Sequence, residues 1–435
     1  MRDVDIRMTK RKVLLFYDNT DLDRQVLRPV DYSLFETEWN RQGGGNSGNK
    51  LFISAAEQYL NKEDIEYEYY TGQENEETIN EKYDLIVIPM ANIFNANSIV
   101  INQLNEYTNL IENFKIPVYI LGCGIQCDSY DDIGQLATNI KRPVERFLKA
   151  VYHTGGELAL RGYATKEFLD KIMPNTAVVT GCPSFYQRGS RLHITDEKVT
   201  EEQFRPAING NLKYLKQIGM LSSLDQYHSS IYMDQDEFAQ ILYFHTRNKD
   251  DTVLELIRKK TLTGVRLLAE DRVKLLYDIP VWMAYFTEAG INFSCGTRIH
   301  GNIIATLSEV PAKVIYRDAR TRELSEFFEL PHAESWKEDQ SLYEAYLEAD
   351  YASFNRGFSE KFKAFEAFMT EHGISHDLED RSLFDERLRQ YRWDMPEIIG
   401  QKKIDNLKEQ WKKHEKFYRN YDKMIDSLRR MANKA

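Results

Sequence analysis

The stretch Ser294-Cys-Gly-Thr-Arg-Ile-His-Gly301 decides the fold, because it joins an apolar run at residues 291–293 to another at residues 302–307. This pattern predicts a strand, a tight turn and the start of a helix. A helix start presents free backbone N–H groups and a partial positive charge, which favour phosphate or carboxylate. Arg298 adds a two-pronged donor for such anions, and His300 adds a side chain that exchanges a proton near neutral pH. We therefore expect an anion site here.

A second polar loop follows the next predicted strand, at residues 311–316. It contains Asp318 and Arg320. In open α/β sheets, ligands bind outside the carboxyl ends of the strands. Asp318 and Arg320 are thus expected near Arg298 and His300, although they could also form a solvated ion pair in a loop.

Apolar runs alternate with helical segments along most of the chain, which predicts an α/β fold with parallel sheets. The predicted strands are residues 13–17, 66–70, 85–88, 118–122, 157–160, 177–180, 204–209 and 241–245, and the predicted helices include 51–60, 98–114 and 281–286. A polar segment without clear period, residues 184–202, marks a domain boundary. After about residue 335 the pattern is almost wholly helical.

Other loops carry candidate ligand contacts. The loop Gln42-Gly-Gly-Gly-Asn-Ser-Gly-Asn49 precedes a helix and lets backbone N–H groups approach a phosphate or a sugar, unless it is only a flexible surface turn. Arg161 opens a helix after a strand, where a structural salt bridge and a ligand contact are both reasonable. Asp128, Asp131 and Asp132 are further acids beside a strand end, and such acidic loops are usually just solvated.

Several of these motifs resemble those of the polysaccharide pyruvyl transferase family. The matching segments are Gly45-Asn-Ser-Gly-Asn49, Leu160-Arg-Gly-Tyr-Ala-Thr-Lys-Glu-Phe-Leu169, Val179-Thr-Gly-Cys-Pro-Ser184, Gly296-Thr-Arg-Ile-His-Gly-Asn302, Glu309-Val-Pro311 and Asp318-Ala-Arg-Thr-Arg-Glu-Leu324. They follow the family's order over roughly residues 43–330. Two positions depart from the pattern: Asn49 stands where the family usually has Asp, and Pro89-Met-Ala-Asn92 replaces a glycine run.

The resemblance implies two Rossmann-like domains facing a cleft, as in GT-B glycosyltransferases, at residues 10–190 on the acceptor side and 200–340 on the phosphoenolpyruvate side, with a helical extension at 341–435. The likeness to GT-B chains also implies that a helix from residue 345 onward returns to the first domain. The implied reaction transfers pyruvate from phosphoenolpyruvate to two hydroxyls of a sugar, giving a ketal and phosphate, without metal or bound cofactor. Arg298 and His300 would bind phosphate, with proton donation by His300. Asp318 would orient one of them or act as a base. The substrate-binding residues would be Arg320, Gly296, Thr297, Arg161, Gly45, Asn46, Gly48 and Asn49.

Composition limits the possible partners and location. Four cysteines in 435 residues and the absence of an export signal indicate a cytoplasmic protein, with residues 1–9 as a dispensable leader. The net charge of −11 disfavours nucleic acid as a partner. Residues 401–435 are basic, with eleven Lys and Arg against five Asp and Glu, and have apolar residues at helical spacing. This helix is expected either to pack on the body or to contact anionic lipid around a lipid-linked sugar acceptor.

Two other functions are compatible with the same sequence. A GT-B glycosyltransferase that uses a nucleotide sugar would employ the same cleft and the same arginines. An inactive relative that acts as a scaffold in glycan assembly would retain the fold without the catalytic activity.

Overall fold

The computed structural model describes residues 10–16, 48, 50–60, 64–235, 266–267, 270–275, 279–337 and 339–374, together with residues 405, 409, 412, 413 and 416. In this part of the chain, the strands form two separate parallel sheets of six strands each. Helices connect successive strands, as parallel pairing requires. The predicted α/β class is therefore confirmed.

The first sheet has the order β2-β1-β3-β4-β5-β6. Every residue of β3 and β4 is buried, as expected for central parallel strands covered on both faces. The strands are β1 (Arg11–Leu15), β2 (Ile65–Tyr69), β3 (Leu85–Pro89), β4 (Val118–Cys123), β5 (Leu158–Leu160) and β6 (Val178–Val179). The helices among them are α1 (Lys50–Leu60), α2 (Glu76–Lys82), α3 (Ser98–Ile111), α4 (Ile133–Asn139), α5 (Lys141–His153) and α6 (Tyr163–Asp170).

The second sheet has the order β12-β11-β10-β7-β8-β9, which is the strand order of a Rossmann domain. Its strands are β7 (Pro206–Asn209), β8 (Ile231–Asp234), β9 (Val273–Leu275), β10 (Phe293–Gly296), β11 (Ala312–Ile315) and β12 (His332–Ala333). The helices are α7 (Leu212–Gln217), α8 (Leu221–Gln226), α9 (Ile279–Glu288), α10 (Ile299–Leu307) and α11 (Ala319–Phe328). The strand order reverses between β7 and β10, and ligands bind at the carboxyl ends beside such a reversal.

The C-terminal helices α12 (Leu342–Leu347) and α13 (Ala352–Glu371) join the two sheets. Near the start of α13, the Tyr351 hydroxyl accepts from the backbone N–H of Ala312 in β11 at 2.8 Å. Near its end, the ring of Phe365 lies 5.1 Å from that of Tyr59 in α1, and His372 bonds to Glu157 beside β5 at 2.9 Å. The expected return of a C-terminal helix to the first sheet is confirmed.

Most predicted strands are confirmed to within a few residues, but β8, β9 and β12 were not predicted. These three strands are short, with four, three and two residues, and lack the length that periodicity needs. The predicted strand at 241–245 lies outside the described residues. Within the segment 184–202, where the domain boundary was predicted, the structure has a largely buried 3-10 helix at Pro183–Arg188, in which the Phe185 ring lies 4.0 Å from that of Phe328. The domain limits stay a prediction.

The basic tail falls almost entirely outside the described residues. Those described within it, residues 405, 409, 412, 413 and 416, are helical and exposed. Among the described helices, none is both long enough and apolar enough to cross a bilayer.

Candidate active site

The turn after β10 depends on a glycine. Gly296 has φ +156°, and a Cβ at this position would lie 1.8 Å from the carbonyl oxygen of Asn209 in the neighbouring strand β7. Only glycine allows so close an approach of two backbones. The backbone N–H of Thr297 donates to the same carbonyl oxygen at 3.0 Å. The chain then enters α10 through its N-cap residue, Arg298.

A buried amide network holds this turn in place. The Asn209 side chain accepts from the backbone N–H of Arg298 at 2.9 Å and donates to Asn302 at 2.8 Å and to Ser294 at 3.1 Å. Asn302 in turn donates to the carbonyl of Gly296 at 3.1 Å. A buried polar network of this kind fixes a single backbone arrangement when its members are satisfied. The start of α10 is therefore preorganised.

Four described helices begin at the carboxyl ends of strands in this region, and three of them are capped by side chains. Asn211 caps α7, Asp318 caps α11, and the carboxylate of Glu323 accepts from the backbone N–H of Thr165 in the first turn of α6 at 2.6 Å. In α10 the N-cap residue, Arg298, makes no side-chain cap hydrogen bond. Of these four helix ends, that of α10 is the one left for an external anion.

Three arginines surround the start of α10. The positive charges of Arg320, Arg161 and Arg298 all act on His300, which places the three guanidinium groups within electrostatic range of its ring. Burial is the main cause that lowers the pKa of Arg298 and of Arg320, and both remain cations at neutral pH. We call Arg298, His300, Arg320 and Arg161, together with the first turn of α10, the candidate anion site.

Arg161 reaches this site from the first sheet. It is 4% exposed and donates through Nε and Nη2 to the carbonyl of Gly122, at 3.1 and 3.0 Å, and through Nη1 to the Asn92 side chain at 2.7 Å. These acceptors are uncharged, so the bonds fix the guanidinium without neutralising its charge. The geometry thus favours the ligand contact over a structural salt bridge for Arg161.

His300 lies against both halves of the protein. Its ring centroid is 6.3 Å from that of Phe52 in α1. Burial, followed by the charges of Arg320, Arg161 and Arg298, lowers the pKa of His300 to about 3. The imidazole is therefore neutral at physiological pH in the free protein. An anion at the site would offset the three cations and raise this pKa.

Asp318 does not contact the residues that it was expected to orient. Its carboxylate accepts from the N–H and hydroxyl of Thr321, both at 2.8 Å, and from Arg320 at 3.3 Å. The expected orientation of Arg298 or His300 by Asp318 is therefore replaced by orientation of Arg320, whose buried Nε has no hydrogen-bond partner among the described residues. The position of the Asp318 side chain is fixed because it caps the N-terminus of α11.

The remaining predicted residues are only partly placed. Thr297 is buried in the turn before α10, and Gly48 is buried just before α1. Gly45, Asn46 and Asn49 lie outside the described residues. Asp128, Asp131 and Asp132 are exposed, and the carboxylate of Asp132 accepts from the backbone N–H and the hydroxyl of Ser129.

Sequence reasoning missed the residues that support the site. Asn209 gave no signal, because single polar residues at strand ends are common. Ser294 and Asn302 stand inside quoted motifs, yet their roles depend on the position of Asn209 across the sheet. Glu323 also lies within a quoted motif, but its contact with Thr165 joins segments 158 residues apart.

The cysteines and acidic residues suggest no metal centre in the part of the chain that the structure describes, since no group of three or more His, Cys, Asp or Glu side chains is arranged to hold an ion there. Cys123 is buried, and burial raises the pKa of its thiol to about 12. Burial also raises the pKa of Cys127 to about 11, helped by nearby carboxylates. Neither thiol is ionised at neutral pH.

Comparison with known proteins identifies the family. The model of the polysaccharide pyruvyl transferase family matches residues 46–318, which include Arg161, Arg298 and His300 and end just before Arg320. The chain therefore belongs to the polysaccharide pyruvyl transferase family, a family of transferases. No curated protein sequence matches the chain.

Solved structures with similar folds are remote. A putative UDP-N-acetylglucosamine 2-epimerase from Listeria monocytogenes aligns with a TM-score of 0.39 and 10% identity over 86% of this chain and 99% of its own. A glycosyltransferase from Streptomyces nogalater aligns with a TM-score of 0.33 and 10% identity over 84% of this chain and 100% of its own. At such low similarity these alignments assign no function to the chain.

Proposed function

We propose that this transferase moves the pyruvyl group of phosphoenolpyruvate onto two hydroxyls of one sugar, giving a cyclic ketal and inorganic phosphate. The observation that supports this most is the uncapped start of α10, with Arg298 as its N-cap residue and with Arg320 and Arg161 close by. Family membership gives the reaction class, and the donor and the ketal are our inference.

The charges of the candidate anion site suit this donor. Phosphoenolpyruvate carries a phosphate and a carboxylate, and both groups favour planar guanidinium donors and helix N-termini. Arg298 and Arg320 come from the second sheet, whereas Arg161 comes from the first. A ligand with two separated anionic groups would therefore be held from both sides of the site.

The proton requirement of the reaction gives His300 a role. A proton must reach C3 of the donor, one sugar hydroxyl attacks C2, the C2–O bond to phosphate breaks, and the second hydroxyl closes the ketal. Each hydroxyl loses its proton on attack; one of these protons replaces the proton given to C3, and the other leaves with the phosphate. In the free protein His300 is neutral, because its pKa is lowered to about 3. The negative charge of the bound donor raises the pKa of His300, so the imidazole ring gains a proton in the complex with the donor. His300 would then hold the phosphate and supply the proton.

The acceptor is expected opposite this site. The family name implies a polysaccharide or its precursor, and residues 45–49 precede α1, whose Phe52 faces His300. A sugar bound there would present its hydroxyls to the C2 carbon of the donor. A lipid-linked form of the acceptor would also give the basic tail at residues 401–435 a membrane surface to contact.

Ligand protection separates this proposal from its competitors. Thermal unfolding is followed with phosphoenolpyruvate, with UDP-sugars and with no ligand, and phosphate release is then measured with a panel of glycosides. Protection by phosphoenolpyruvate and phosphate release that needs an acceptor support the proposal. Protection by a nucleotide sugar alone indicates a glycosyltransferase, and the absence of both indicates a scaffold.

A further inference from the structure

We infer that Gln235 is a further donor-binding residue, whose side-chain amide hydrogen-bonds to an anionic oxygen of the substrate at the start of α10. This inference rests on the proposed function and deepens it, since it adds a substrate contact that the family motifs do not contain. Gln235 follows β8 directly, at the carboxyl end of the second sheet.

The Gln235 amide is buried without a partner. The residue is 2% exposed, and neither Nε2 nor Oε1 has a hydrogen-bond partner among the described residues. Leaving a buried polar group unpaired costs roughly 1 to 3 kcal/mol. Buried amides in folded proteins are almost always paired, so an unpaired one calls for an explanation. A ligand that completes the pairing is such an explanation.

The position of the amide points to the same ligand as α10. Gly301 is the third residue of α10, and a Cβ there would lie 2.5 Å from Nε2 of Gln235 and 3.1 Å from Cγ of Asn209. The missing side chain at position 301 therefore makes room for the Gln235 amide on the first turn of the helix. This is the same turn that contains His300 and follows the N-cap residue Arg298.

A second unpaired polar atom lies at the same turn. Thr297 is 3% exposed, and its Oγ1 has no hydrogen-bond partner among the described residues. It lies beside Gly210, where a Cβ would approach Oγ1 to 2.8 Å. Two unsatisfied donors and an uncapped helix end thus occur together. An uncharged amide adds a hydrogen bond without adding to the charge of the three arginines, and its Nε2 donates to the anion.

Two variants separate ligand binding from structural support. Gln235→Met keeps the length of the side chain and removes both polar atoms, and Gln235→Glu keeps the shape but adds a negative charge. Because the free protein has no bond to lose, Gln235→Met should melt at the parental temperature or above. Its affinity for phosphoenolpyruvate should fall roughly ten- to hundredfold, as expected for a hydrogen bond to a charged group. Gln235→Glu should bind still more weakly.

Gln340→Met provides the matched control. Gln340 is also buried, but its Nε2 donates to Glu348 at 2.7 Å, outside the candidate anion site. This variant should lose thermal stability and keep its affinity. The measurements are calorimetric titrations with phosphoenolpyruvate and with inorganic phosphate, together with melting curves of each free protein.

The outcomes distinguish this inference from the proposed function. Weaker binding of both ligands by Gln235→Met places the amide on the phosphate, and weaker binding of phosphoenolpyruvate alone places it on the carboxylate. Equal affinity in parent and Gln235→Met, or a loss of melting temperature without a loss of affinity, overturns the role of Gln235 and leaves the proposed function standing. A parent that binds phosphate but not phosphoenolpyruvate overturns the function, while the phosphate titration still tests Gln235. A parent that binds neither ligand overturns both.

Discussion

The carboxylate of Glu323 in α11 accepts hydrogen bonds from the backbone N–H of Thr165, at 2.6 Å, and from its hydroxyl, at 2.9 Å. A residue attached to the second sheet thereby closes the N-terminus of α6, a helix attached to the first. Glu323 is 2% exposed and lies within electrostatic range of Arg161. The contact holds the two halves of the candidate anion site in one arrangement and occupies a helix end that would otherwise attract anions.

Glu323 should give the protein a characteristic pH dependence of stability. Burial raises the pKa of its carboxyl, so the folded state binds this proton more tightly than the unfolded state. The stability of the parent relative to Glu323→Gln should then be greatest below about pH 4 and should decline as pH rises through the folded pKa. Chemical unfolding of both proteins between about pH 4 and 7 tests this expectation.

Glu326→Gln is the control on the same helix, with the opposite sign. Burial raises the pKa of Glu326, but hydrogen bonds from Arg322 and Tyr130 outweigh it and the net shift is downward. Glu326 should therefore stabilise the folded protein near neutral pH, and this stabilisation should be lost as pH falls through the pKa of Glu326 in the folded state. If the stability differences of both variants from the parent changed with pH in the same direction, the opposite pKa shifts of Glu323 and Glu326 would be contradicted.

Arg298→Ala should weaken the binding of phosphoenolpyruvate. The change removes a charge-assisted contact worth roughly 1.5 to 3 kcal/mol, while the amide network that positions the turn involves only the backbone of Arg298. Calorimetry should show the loss of affinity, and melting curves should show an intact fold. Arg146→Ala is a control, because Arg146 pairs with Glu112 at 2.5 Å on an exposed surface and should leave affinity unchanged. An Arg298→Ala protein with parental affinity would remove Arg298 from the site.

His300 should take up a proton when the donor binds. Since its pKa in the free protein is about 3 and the bound anion raises it, binding at pH 6 to 7 should be accompanied by proton uptake. Titrations in buffers of different ionisation enthalpy measure this uptake, which should be absent in His300→Gln. That variant should retain most of its affinity and lose roughly 10²-fold or more in turnover. If affinity and turnover fall together and the proton uptake persists, His300 only binds phosphate and Asp128, Asp131 and Asp132 become the next candidates for the acid.

The basic tail offers a test of membrane contact. Deletion of residues 401–435 should reduce binding to anionic vesicles and leave the melting temperature of the body unchanged, because the sequence predicts an amphipathic basic helix there. Neutral vesicles of the same size are the control. A truncated chain that aggregates or melts early shows instead that this helix packs on the body.

Sequence reasoning found the residues whose chemistry is visible locally. Arg298 and His300 could be predicted because a strand, a glycine turn and a helix start follow one another within eight residues, and Arg161 because it follows a strand in the same way. The support for these residues could not be predicted. Asn209, Asn302 and Ser294 act through bonds across neighbouring strands, and the order of the strands is not visible in the sequence. Asp318 was expected to orient Arg298 or His300, whereas its carboxylate contacts Thr321 and Arg320. Its alternative role as a base stays a prediction.

The most direct test of the central claim follows the fate of the pyruvyl carbon. The enzyme is incubated with phosphoenolpyruvate labelled with carbon-13 at C2 and with a panel of glycosides, and the products are examined by carbon and phosphorus NMR. We predict a new ketal carbon bonded to two sugar oxygens, formed in equal amount with inorganic phosphate and only when an acceptor is present. Intact phosphoenolpyruvate beside acceptors that are modified by a nucleotide sugar, or phosphate release that yields free pyruvate with every acceptor, would contradict it.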